Sequence, residues 1–122
     1  MLDALPERVF DALGDPTRRR IVERLRDGPA PVGVLAAGLP VGRPAVSKHL
    51  KVLEGAGLVE HRGVGTRNLY ALAPRGFTAL QRWLVQQWDG ALDAFAAQVA
   101  AREEQDDGTS TDPPPDRGGR DA

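Results

Sequence analysis

Residues 42–72 constrain this chain most. There a helical apolar stripe runs, without a linker, into two β-prone stretches around a glycine-rich turn. Val46, Leu50 and Leu53 recur at i, i+4 and i+7, one face of a helix that starts near Gly42, Arg43 and Pro44. Gly55 and Gly57 end it. Residues 58–62 and 67–72 then flank Gly63, Val64, Gly65 and Thr66, the pattern of a β-hairpin. One amphipathic helix and a two-stranded ribbon cannot complete a core alone, so flanking segments must supply the remainder.

Those segments read as helical. Leu5, Val9, Phe10 and Leu13 recur at helical spacing until Gly14. Asp15 and Pro16 form a strong helix start, with Asp as N-cap and Pro in the first turn. Ile21, Val22 and Leu25 continue that helix until Gly28 and Pro29. Val32, Leu35, Ala36 and Leu39 predict a short third helix closed by Pro40. After the hairpin, Pro74 opens a last helix whose apolar positions Phe77, Leu80, Leu84, Trp88, Leu92, Phe95 and Val99 follow at steps of three and four. The expected fold is mainly α with a small β-hairpin, in the order four helices, two strands, one helix. From residue 103 onward the chain has no large apolar side chain and three successive prolines, so a disordered, acidic, Pro/Gly-rich tail is expected over 103–122 beside a folded domain over 1–102.

Charge follows the same division. The formal net charge is -1, but residues 1–102 hold 14 Lys+Arg against 10 Asp+Glu, and residues 103–122 hold 2 against 7. A mildly basic body points to an anionic partner. There is no cysteine, so disulfides and thiolate metal sites are excluded. No apolar run approaches the ~20 residues of a membrane span. Asp3 and Glu7 stand where a signal peptide would be basic and then apolar, so a cytoplasmic protein is expected. No phosphate loop, nucleophile elbow or distinguished acid–base pair is present, and the chain is not expected to be an enzyme.

Two short helices, a tight turn and a hairpin make a winged helix-turn-helix, which places its second helix in a DNA major groove. Residues 12–25, ALGDPTRRRIVERL, and 43–72, RPAVSKHLKVLEGAGLVEHRGVGTRNLYAL, closely resemble the ArsR/SmtB family of bacterial repressors. The resemblance implies a homodimer on an inverted-repeat operator, in many members near their own promoters and released by a metal or another inducer. Metal-sensing members carry a Cys-x-Cys-like motif near the third helix, where this chain has Val32, Gly33 and Val34. Others place His and carboxylates on the last helix, which here has Asp89 and Asp93 but no His. With Trp83 and Trp88 on that helix, the chain resembles the branch not associated with metal, and neither metal nor cofactor is expected. The inducer is unassigned.

On the fourth helix, Arg43, Pro44, Ser47, Lys48 and Lys51 fall opposite the apolar stripe and are the expected DNA contacts, with Arg43, Ser47 and Lys48 at base edges and Lys51 on phosphate. His49 lies at the boundary, either on the DNA side, as the resemblance implies, or partly buried and hydrogen-bonded to backbone. Of Arg18, Arg19 and Arg20, two are expected to pair with Asp15, Glu23 or Asp11 at helical spacing, and the other to reach a phosphate or a dimer partner. Arg62, Thr66 and Arg67 form a basic wing, with Arg67 expected on phosphate. The expected dimer interface is Leu5, Val9, Phe77, Leu84, Trp88, Leu92 and Phe95, while Trp83 is left to the first helix or a ligand. Two rival readings are a winged-helix module that binds protein, against which the basic face argues, and a regulator that needs a small-molecule co-effector.

Overall fold

The computed structural model describes residues 4–105. The element order is α1 (Leu5–Leu13), α2 (Pro16–Leu25), α3 (Val32–Ala37), α4 (Arg43–Gly55), β1 (Val59–Val64), β2 (Arg67–Leu72) and α5 (Pro74–Gln105). α5 runs through Glu103 and Glu104, which the sequence reading placed in the tail. The remainder of that expected tail lies outside the described residues. Two compact units divide within α5, between Val85 and Gln86.

The first unit holds the core. Val9 and Ala12 of α1, Ile21 and Leu25 of α2, Leu35 of α3, and Val46, Leu50 and Leu53 of α4 are buried together with Leu58 and Val59. Each helix contributes a stripe at steps of three or four, as burial against a common centre requires. Phe77 and Leu80 of α5 pack partly buried against this cluster. Two expected interface residues are thereby corrected. Val9 has no exposed surface and is a core side chain, because its helix turns that stripe inward. Phe77 is half-buried against the core, not free on the surface.

The hairpin is tighter than the four-residue turn that Gly63, Val64, Gly65 and Thr66 imply. Val64 pairs with Arg67, so Gly65 and Thr66 alone form the loop and β1 extends to Val64. Gly65 has φ +63° and Thr66 stays at negative φ, the demand that a II′ turn makes of its first central residue. An isolated bridge, Ala30 to Tyr70 with both N···O distances 2.9 Å, ties β2 to the segment before α3.

The start of α5 is fixed by two glycines. Gly57, at φ +74°, reverses the chain after α4. Its carbonyl accepts the Gly76 N–H at 2.6 Å. A Cβ on Gly76 would collide with the Ala56 carbonyl oxygen and lie 2.8 Å from the Gly57 carbonyl carbon. These are backbone atoms without rotamers to relieve the clash. Gly76→Ala is therefore expected to destabilise the protein by about 1–3 kcal/mol despite the gain in helix propensity. Gly90→Ala, where a Cβ meets nothing within 4 Å, should not lower stability, and urea unfolding of both variants checks the contrast.

Candidate nucleic-acid interface

α4 presents two opposed faces. Val46, Leu50 and Leu53 point into the core, and Arg43, Pro44, Ser47, Lys48 and Lys51 are exposed. Residues 43–51 contain no carboxylate, and none of Arg43, Lys48 or Lys51 joins a salt bridge among the described residues. On the hairpin, Arg62 is opposite Leu69 and Val64 opposite Arg67. Residues 62 and 64 share one face by the two-residue repeat, so Arg62 and Arg67 project from the same side of the ribbon. Arg62, Thr66 and Arg67 are all exposed.

A polar junction at the head of α2 holds α4 in this attitude. The Asp15 carboxylate accepts the N–H groups of Thr17 (2.8 Å) and Arg18 (3.1 Å), capping α2. Arg18 reaches back to donate to the Ala12 carbonyl from Nε (2.7 Å) and to the Asp11 carbonyl from Nη2 (3.1 Å), satisfying the end of α1. Arg19 does the same at the Leu13 carbonyl. Of the carboxylate pairs expected from helical spacing, Arg18 lies 4.0 Å from Asp15, whereas the hydrogen-bond partners of Arg18 and Arg19 here are backbone carbonyls. Arg20 is exposed.

The guanidinium of Arg18 also lies 3.3 Å from His49 Nδ1. Arginine has no acceptor, so Nδ1 must accept and the ring proton sits on Nε2. His49 is thus partly buried and held by a side chain, whereas the sequence reading weighed backbone partners or DNA. At the other end of α4, Glu54 bonds His61 Nδ1, and the His61 ring stacks against Tyr70, centroids 5.1 Å apart. This tie between α4 and the hairpin has no signal in helical or strand spacing. Burial, with Glu54 nearby, pushes the Tyr70 phenol up from its ordinary pKa.

Of the proposed dimer residues, Leu84, Trp88, Leu92 and Phe95 are exposed, and Leu5 is half-buried. Trp83 packs edge-on against Phe10 of α1 at 4.9 Å, the first-helix contact foreseen for it. Trp88 is 64% exposed and belongs to no core of this chain.

A short α3 followed by α4 with its basic outer face, together with a basic two-stranded wing, defines a winged helix-turn-helix DNA-binding regulator. A helix-turn-helix domain family matches residues 13–62. The HTH-type transcriptional regulator Rv2034 of Mycobacterium tuberculosis is 55% identical over 91 residues, 75% of this chain and 85% of that protein. The transcriptional repressor SdpR of Bacillus subtilis is 34% identical over 64 residues, 52% of this chain and 71% of that one. An ArsR-like transcriptional regulator from Rhodococcus sp. RHA1 superposes with a TM-score of 0.67 at 32% identity, covering 87% of this chain and 96% of its own. The chain belongs to the ArsR/SmtB family of transcriptional regulators.

The junction makes a pH prediction. Backbone N–H donation, first from Arg18 and then from Thr17, together with the Arg18 charge, holds the Asp15 carboxyl below its ordinary pKa. A lowered folded-state pKa stabilises the fold above the unfolded carboxylate range and is lost as pH falls through the folded value. Asp15→Asn keeps a capping oxygen without the titration. Its melting temperature should therefore fall less steeply between about pH 5 and pH 2 than that of the wild type. Equal slopes in a pH series of thermal melts would count against the assignment.

Proposed function

We propose that this chain is a homodimeric repressor that binds an inverted-repeat operator in the cytoplasm through the outer face of α4, with the wing over adjacent backbone. The observation that carries the reading is the exposed, unpaired, carboxylate-free face of α4 opposite its fully buried stripe. Ser47 and Lys48 lie where base edges fall, and Lys51 and Arg67 serve phosphates. The likeness to the repressor SdpR supports repression as the outcome.

Dimerisation is supported by the apolar surface that one chain leaves open. Leu84 and Val85 are about half exposed in the first unit, and Trp88, Leu92, Phe95 and Val99 are 40–64% exposed in the second. Such a stripe on a single chain marks an interaction surface. Two recognition helices in a two-fold dimer then meet half-sites about 34–36 Å apart. Light scattering at micromolar concentration should give about twice the 13.1 kDa chain mass, and Trp88→Glu with Phe95→Glu should return it to the single mass. In a footprint on the gene's own upstream DNA, Lys51→Ala should weaken specific and random duplexes alike, whereas Lys48→Ala should cost roughly 1–3 kcal/mol on the specific site alone.

The regulator acts without a metal. The chain has no cysteine, and its two histidines are both engaged, His49 by Arg18 and His61 by Glu54. Among the described residues no three His, Asp or Glu side chains are grouped to hold an ion. Operator affinity should be the same with EDTA as with added zinc, and zinc-driven release with one saturable site per chain would overturn this.

A further inference from the structure

A cleft of about 350 Å³ opens between the start of α3, the start of α4 and the tip of the wing. Arg43 lines it from α4, Thr66, Arg67 and Asn68 from the hairpin, and Gly33 from α3. No carboxylate is among its lining residues. Neither Arg43 nor Arg67 is in a salt bridge among the described residues. Two unpaired guanidinium groups sharing one cleft repel each other until an anion enters, and a phosphate offers acceptor oxygens to both.

The position of Arg43 is governed by a residue on another helix. Its guanidinium lies over Gly33, so that a Cβ at residue 33 would collide with Nη2 and stand 3.1 Å from Cζ. Glycine inside a helix is unfavourable by about 1 kcal/mol relative to alanine. At residue 33 the absent side chain is where the arginine lies. Arg43 is thereby folded back along α3 toward the wing, not extended from the axis of α4 as its helical angle alone implies.

We propose that this cleft seats one phosphate of the DNA backbone, gripped by Arg43 from the helix-turn-helix and by Arg67 and Asn68 from the wing, and that Gly33 makes room for the grip. The inference rests on the DNA-binding reading of this face and reassigns Arg43 from base reading to phosphate holding. One phosphate held by both elements fixes the wing relative to α4 on the duplex, a positioning role without direct sequence information.

The full-length protein is tested on two duplexes, one selected by the wild type from a random library and one scrambled from it, across a salt series. Arg43→Ala and Arg67→Ala should each weaken both duplexes by the same factor, roughly tenfold, and each lower the log–log salt slope by about one. Gly33→Ala should reproduce the Arg43→Ala loss at an unchanged or higher melting temperature, since only the flexible end of a side chain must move. In the Arg43→Ala background Gly33→Ala should have no further effect, because its whole influence passes through that guanidinium. Loss on the selected duplex alone would make Arg43 a base reader and overturn the proposal, as would full affinity in Gly33→Ala. If the selection with the wild type enriches no duplex, the DNA-binding reading itself fails. Inorganic phosphate titrated into the free protein should shift the Asn68 amide resonance only at concentrations far above those at which the duplex binds, because it lacks the remaining DNA contacts. Saturation by inorganic phosphate at concentrations as low as those of the duplex, abolished by Arg43→Ala, would assign the cleft to a free anion instead of the duplex.

Discussion

Arg18, at the start of α2, closes the end of α1 and touches α4. Where α1 stops and α2 starts, carbonyls without partners meet amides without partners, and leaving either set unbonded costs free energy. Asp15 takes the amides, and Arg18 takes the carbonyls of Asp11 and Ala12. The same guanidinium then meets His49 of α4. The direction of α4, and with it the exposure of Ser47, Lys48 and Lys51, depends on this side chain as well as on burial of Val46, Leu50 and Leu53. A lysine here could not meet the two carbonyls and His49 as the guanidinium does, because it lacks the planar fork.

Further from the junction, polar ties give way to shape. The wing is joined to α4 by the Glu54–His61 bond and to the segment before α3 by the Ala30–Tyr70 bridge. Both sit near the base of the ribbon. Its tip, Gly65 and Thr66, is exposed. The basic tip thus stands on a fixed root, with its charged side chains free to meet a partner.

The sequence made the helices and their order legible because the signals are local: Asp15 before Pro16, the three-residue stripe of α4, glycines at the turns. What it could not show was which neighbour a stripe faces. Leu5 and Val9 have the same helical spacing whether they face the core or another molecule, and only the packed structure puts Val9 wholly inside. The glycine-rich stretch 63–66 implies a four-residue turn because composition cannot reveal that Val64 pairs with Arg67. Helical angle placed Arg43 outward but carried no information about Gly33, ten residues away on another helix. A glycine inside the short α3 was the available signal, since it is a poor helix residue with something to explain. The His61–Glu54 pair had no such signal, as neither residue is unusual where it stands. Apart from His49, the residues expected on the wing and on the outer face of α4 are exposed, since polar side chains facing away from a buried stripe require no knowledge of a third element.

Between Gly57 and Gly76 two backbones touch directly, with a hydrogen bond and no side chain between them. Most contacts between elements can be retuned, because a neighbouring side chain of another size shifts the packing by a fraction of an ångström. Here there is nothing to resize. The first turn of α5 is therefore a fixed datum relative to the end of α4, and no exchange of core side chains can re-aim it. Variation in α5 after residue 76, along its exposed stretch, can therefore accumulate without disturbing the alignment of the first turn of α5 with the end of α4.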